Sequence, residues 1–337
     1  MPIDKPFKTY HEQIKLIRSK NIIVNDEQFA ERILKNLSYY TLINGYKKTF
    51  MSSNESDSFI DGTSIEILYT IHLLDNDLNS LIFKYILYIE RSLKTKIAYL
   101  IGRNYGVCTH NDPVYQLIQT DYLSEKNYSN RHRSRSNILR DLNAAIVNCR
   151  SNSTTSYYRA TKDHVPPWIL VNDISFGLTI TWYSILSAKD KSEICNELLP
   201  YPALSIEEKK EFLKISLDLL RKYRNGIAHG NKTFSHVINI QLPSNILLKI
   251  LGTEILPKQE YRKGIGKNNL ASIILLVMIL VDDNYILRRF QNDLANILFP
   301  YIGEGSLFAG NTIFEVLGLS PSVIDRLKKF HSKRFSV

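Results

Sequence analysis

Apolar positions recur every three or four residues through nearly every segment of this chain that has a readable period, and alternating patterns of the strand kind are scarce. An all-α protein is expected. Tyr10 to Ser19 and Asp26 to Ser38 read as short helices, the second opened by Asn25 or Asp26 as an N-cap. Beyond Gly45 and a polar run, Ser52 to Ser58, the longest helical stretch covers about residues 64 to 103. Its positions Leu74, Leu78, Leu81, Ile82, Tyr85, Ile86, Ile89, Leu93, Ile97 and Leu100 hold one stripe for about seven turns, which puts this element at the centre of the core. Pro166-Pro167 sets an extended entry into the apolar segment Trp168 to Leu186. Pro200 and Pro202 precede a helix opened by Ser205, which forms a capping box with Glu208. That helix carries its stripe through Phe212, Ile215, Leu219, Leu220, Tyr223 and Ile227, and Gly230 supplies its stop.

Phe234 to Leu242 reads as a short strand or an extended loop. Residues 254–269, rich in Lys, Gly, Pro and Asn, read as a linker. The expected organisation is a helical core over 1–253 with a basic insert at 126–162, then the linker, then a C-terminal helical extension over 270–337.

Charge adds a partner to this outline. Lys and Arg number 43 against 33 Asp and Glu, and a formal charge of +10 favours an anionic partner, nucleic acid or a membrane surface. A membrane is the poorer choice, because the longest apolar run, Leu270 to Val281, falls short of the roughly 20 residues that span a bilayer. The first residues, MPIDKPFKTYHEQIK, lack the apolar stretch of a secretion signal, and a cytoplasmic location is expected. Cys108, Cys149 and Cys195 are far apart and odd in number, which suits reduced thiols better than a disulfide frame or a zinc site. With no P-loop, dinucleotide fingerprint, His-Glu-x-x-His or Gly-x-Ser-x-Gly string, no cofactor and no metal site are expected.

Residues 126–162 carry Lys126, Arg131, Arg133, Arg135, Arg140, Arg150, Arg159 and Lys162 against one acid, Asp141, and include Tyr157-Tyr158. Arginines and aromatics together serve phosphate contact and base stacking, so this stretch is the candidate RNA-binding surface, with Arg131, Arg133, Arg135, Arg140, Arg150 and Arg159 as its contacts. The competing reading is a solvated charged face.

Chemistry concentrates in Arg224-Asn225-Gly226-Ile227-Ala228-His229, at the end of the capped helix. Asn225 and His229 are four apart and share a face roughly opposite the apolar stripe, whereas Arg224 lies near the stripe's edge. Either Arg224 curls around the helix, or Arg and His cooperate with a second copy of the motif across an interface. A His with an ordinary pKa near 6.5 can take a proton from a ribose 2′-OH or return one to a leaving 5′-oxygen. Arg supplies a permanent charge whose planar fork matches phosphate oxygens, and Asn225 would orient the imidazole or hold a phosphate oxygen. The bland alternative is a His complementing the helix dipole beside an Arg paired with an acid. Arg103 and His110 repeat the two residue types, but the intervening Tyr105-Gly106 reads as a loop.

Five segments in order carry a resemblance: Lys5-Pro6-Phe7, Leu37-Ser38-Tyr39-Tyr40 to Gly45-Tyr46, Ile89-Glu90-Arg91-Ser92-Leu93-Lys94-Thr95, Pro166-Pro167-Trp168 to Ser175-Phe176-Gly177, and Arg224 to Gly230. Together they resemble the Abi family of bacterial abortive-infection proteins, the AbiD/AbiF-like group, whose fold belongs to the HEPN superfamily of helical RNases. The resemblance implies a HEPN-like helical bundle with additional N- and C-terminal helices. It also implies a metal-independent endoribonuclease of anti-phage defence, with Arg224 and His229 as the catalytic pair and Asn225 as their polar companion. It further implies a homodimer that joins two motifs in one site, RNA as substrate, and a small RNA as a possible restraint. Where the family often has an acid after the tryptophan, this chain reads Val171-Asn172-Asp173, so Asp173 and Glu90 are the accessory-acid candidates; Asn79 stands where relatives often carry Arg. Two other functions remain open at this stage: a catalytically silent HEPN module that binds RNA or protein, and a scaffold whose motif is modified by a partner nucleotidyltransferase.

Overall fold

The computed structural model describes residues 6–52, 57–130, 134–233, 235–303 and 307–335. Among them the chain forms 17 α-helices and no strand, so the all-α expectation holds. Local chemistry explains most of the helix starts. Thr9 and Glu12 close a capping box on α1 (Tyr10–Ser19), and Asp26 accepts from the Phe29 amide at 3.0 Å to open α2 (Glu27–Asn36). A π-helical turn, Tyr40–Asn44, then runs directly into α3 (Gly45–Phe50).

The centre of the molecule is α4 (Ile65–Tyr105), 41 residues long or about 60 Å. Ser64 caps it and Gly106, at φ +87°, ends it. All ten stripe residues from Leu74 to Leu100 are buried. Three polar residues, His72, Asp75 and Glu90, are buried with them, a feature the stripe alone does not announce.

After the short α5 (Tyr115–Ile118), the basic stretch proves to be two helices, α6 (Arg135–Val147) and α7 (Thr154–Thr161). The polar run before α7 contains its cap, Ser153, whose hydroxyl accepts from the Ser156 amide at 3.2 Å. Next come α8 (Pro167–Asp173), α9 (Phe176–Ile185) and α10 (Ala188–Leu198). Ile138, Leu139, Leu142 and Ile146 bury one face of α6, which packs on α9, while α7 packs on α8. Arg131 and Arg133 lie outside the described residues.

The capped helix is α11 (Ile206–Ala228), with the Ser205–Glu208 box in place. Its buried face is wider than the predicted stripe and includes Leu213, Ser216 and Leu217. Residues 235–242 form an extended loop, not a strand, held by Ile238 N to Asn268 O at 3.1 Å and Leu242 N to Lys267 O at 3.0 Å. Then follow α12 (Ser244–Leu251), α13 (Lys258–Arg262), α14 (Leu270–Leu280), α15 (Asn284–Leu298), α16 (Ile313–Leu317) and α17 (Val323–Phe335). The stretch 254–269 thus holds a helix of its own, and its Ile255 and Leu256 are buried in the core. Every residue of α14 is buried, which accounts for an apolar run without a polar face. Both α14 and α15 pack on α4, as do α8 and α11. Among the described residues no helix is long and apolar enough to cross a membrane.

Candidate active site

The motif occupies the last turn of α11. His229 is the C-cap, its amide donating to the carbonyls of Asn225 and Gly226, both at 3.1 Å. Gly230 adopts φ +86°, a left-handed conformation that favours glycine, and there the chain reverses. The Asn231 amide returns to the Gly226 carbonyl at 3.0 Å. This reversal leaves His229 exposed, as the helical phase predicts.

Arg224 points elsewhere. Its guanidinium lies over the Phe83 ring of α4, 5.3 Å from the centroid, and Nη1 donates to Asn225 Oδ1 at 3.3 Å. Among the described residues its buried Nε has no hydrogen-bond partner. Five residues correspond to about 140° of helical rotation, so α11 presents Arg224 and His229 in different directions.

Beyond Gly230 the chain drops onto a polar face of α4. The Thr233 amide donates to Asp75 Oδ1 at 2.7 Å, and its hydroxyl bonds Asn79 Oδ1. Tyr223 of α11 donates to the Thr233 carbonyl at 2.5 Å, clamping the same residue from the other side. Tyr46 of α3 lies 3.0 Å from His72 Nδ1, while Lys232 sits over the Tyr46 ring at 4.6 Å and 3.4 Å from the same nitrogen. With the Lys232 ammonium 3.4 Å from Nδ1, His72 is held neutral; burial, and then the nearby Lys232 charge, hold its pKa down at about 4. Burial also lowers the Lys232 pKa, against the opposing pull of Asp75.

A cleft of about 300 Å³ opens between the π-helical turn and this return segment, lined by Tyr40, Thr41, Gly45, Gly230, Lys232 and His236 among others. His236 packs on Tyr223, ring centres 5.1 Å apart, and its Nδ1 lies 3.2 Å from Asn231 Nδ2. Burial pushes its pKa down, offset in part by the Lys222 backbone. The ring is so close to α11 that a Cβ on Gly226 would lie 2.2 Å from Nε2, which explains a glycine inside the motif.

The accessory-acid candidates are engaged elsewhere. Glu90 is buried and pairs with Lys94 at 2.8 Å, two turns beyond Phe83 on α4. Lys94 in turn donates to the Ile174 carbonyl at 2.7 Å. The Asp173 carboxylate accepts from the Thr155 amide at 3.3 Å, at the start of α7. In the basic stretch, Arg135 pairs with Glu125 at 2.7 Å, and Arg159 donates to the Val147 carbonyl at 2.6 Å, capping the end of α6. Arg140 and Arg150 are exposed. Arg103 pairs with Glu193 and His110 with Asp121, so neither joins the motif.

Sequence reading missed Phe83, Lys232, His236 and the polar face of α4. One signal was available: His72, Asp75, Asn76 and Asn79 recur at three- and four-residue intervals within an otherwise apolar helix. Among the described residues no group of three or more His, Cys, Asp or Glu side chains is placed to hold a metal ion.

The protein is helical throughout its described residues, with a cation, an amide and an imidazole at the end of α11. The chain matches the model of the Abi-like protein family over residues 32–235, more than half its length, and belongs to that family. The match takes in α4, the whole motif and the cleft's lining up to Ser235, leaving His236 just beyond it. No curated protein and no solved structure matches it.

Proposed function

We propose that this chain is a metal-independent endoribonuclease of the HEPN type that acts in anti-phage abortive infection. Family membership supports the defence role, and the observation that carries the chemistry is the placement of Arg224, Asn225 and His229 on one helix end, with the imidazole exposed. In this reading His229 takes the proton from a ribose 2′-OH, the 2′-oxygen attacks the adjacent phosphorus, and the 5′-oxygen leaves with a proton from a second imidazole. The products are a 2′,3′-cyclic phosphate and a 5′-OH. Arg224 stabilises the charge that develops on the phosphoryl oxygens. Acid, base and cation are all supplied by side chains, so no step calls for a Lewis acid.

The second imidazole comes from a second copy of the chain. Arg224 and His229 diverge by about 140° on α11, so two motifs facing each other across a homodimer would place each Arg near the other copy's His. The exposed Arg140 and Arg150 would extend the RNA track, where a regulatory small RNA could also sit.

The test is to incubate purified wild type and His229→Ala with mixed RNA in EDTA. Cleavage that requires His229 and leaves 2′,3′-cyclic phosphate ends is expected. If stripping any co-purified RNA still leaves no His229-dependent cleavage, the nuclease reading fails.

A further inference from the structure

We propose that the cleft between the π-helical turn and the segment after α11 is a subsite for one nucleotide of single-stranded RNA, with Lys232 on its phosphate and Tyr40 on its base. The proposal deepens the nuclease reading and rests on it: the cleft begins at Gly230, one residue past His229, so a nucleotide held there flanks the phosphate that is cut.

Lys232 is the first argument. Among the described residues the direct contacts of the half-buried ammonium are the Tyr46 ring and the acceptor nitrogen of His72, while Asp75 acts on it only through its charge, its oxygens being engaged by the Thr233 amide and, at 3.5 Å, the Tyr46 hydroxyl. Taking an ammonium partly out of water without a direct counter-ion is costly, and a ligand anion would offset that cost. The lysine is also fixed in place, because its neighbour Thr233 is clamped by Asp75, Asn79 and Tyr223.

Gly45 is the second argument. A Cβ there would lie 2.8 Å from Lys232 Cε, so the missing side chain makes the groove through which the lysine stem reaches the cleft. Tyr40 is the third. It is 70% exposed at the rim, on a turn whose Leu42 and Ile43 are fully buried, so the ring is held out to solvent by a rigid base. An exposed aromatic beside a buried cation is the pairing that binds single strands, stacking on the base and charge on the backbone.

The two roles separate by salt. Binding of a fluorescein-labelled single-stranded oligoribonucleotide is measured by anisotropy over a series of KCl concentrations, in a His229→Ala background. Lys232→Met should flatten the slope of log affinity against log salt by about 0.7, the value for one phosphate on a single strand. Lys232→Arg should keep the slope, and Gly45→Ala should weaken binding with the charge still present. Tyr40→Ala should weaken binding at least about five-fold without changing the slope. Lys263→Met, an exposed lysine elsewhere, sets the background. The subsite is overturned if Lys232→Met changes the slope no more than Lys263→Met does, or if Tyr40→Ala leaves affinity intact. Because binding is read without turnover, a wild type that does not cleave counts against the nuclease reading alone, and an unchanged slope counts against the subsite alone.

Discussion

Arg224 is carried by α11 but seated on α4, its guanidinium 5.3 Å from the centre of the Phe83 ring. The contact fixes the direction of the motif's permanent charge. Arg224→Lys keeps the charge and loses the planar fork, and should slow RNA cleavage about 100-fold or more. Phe83→Leu removes only the aromatic face and should slow it less, about two- to thirty-fold, the range of a cation–π contact between partly buried groups. Single-turnover rates for the two variants check both values, and equal losses would refute the seat.

Gly226 is a helical glycine that resists improvement. Alanine normally stabilises a helix interior by about 1 kcal/mol over glycine. Here the added Cβ would meet His236 Nε2 at 2.2 Å, so Gly226→Ala should give no gain in stability and should displace His236. His236→Ala should recover part of the missing gain in the double variant, the Asn231 amide still lying 2.9 Å from the added Cβ. Urea denaturation of the four proteins in this cycle reads the coupling directly.

Acid should weaken the fold through His72. Burial holds its pKa at about 4, below the roughly 6.5 of an unfolded chain. Above pH 6.5 the imidazole is neutral in both states and contributes no pH dependence. As pH falls from about 6.5 to about 4 the unfolded chain takes up a proton that the folded chain refuses, so stability drops, by at most about 3 kcal/mol. His236 is shifted in the same direction and adds to the loss. His72→Gln should flatten this part of the profile, seen as a smaller difference in unfolding free energy between about pH 7 and about pH 4.5.

Arginines of the basic stretch should divide into two kinds. Arg159 caps the α6 carbonyls, so Arg159→Ala should lower the melting temperature and speed amide exchange at the end of α6. Arg140 and Arg150 are exposed, and their joint replacement by Ala should leave melting unchanged while flattening the salt dependence of RNA affinity by up to about 1.4. A melting loss in the double variant, or none in Arg159→Ala, would reverse the assignment.

Helices whose information is local were legible. Ser205 and Glu208 announce the start of α11, Gly230 announces its end, and the phase between them puts His229 in solvent, all of which the structure bears out. The long stripe of α4 was equally plain. Its polar residues were not, because burial of Glu90 depends on Lys94 and the Ile174 carbonyl, and that carbonyl lies 80 residues away. Phe83 could not be tied to Arg224 from sequence, since the contact joins two helices more than a hundred residues apart in the chain. Lys232 and His236 follow the helix stop, in a segment without a period, where spacing carries no orientation. The composition of 126–162 suggested an insert because its charges are conspicuous, while the four buried residues that dock α6 are spaced as on any amphipathic helix.

The length of α4 has a consequence for how the site can fail or be switched. Its first third holds the polar face under Lys232, Phe83 follows one turn past Asn79, and its remainder anchors Lys94 and packs on α8 and α10. The seat of the arginine and the floor of the cleft are therefore one continuous rod. A change that shifts the first half of this rod is expected to move both at once.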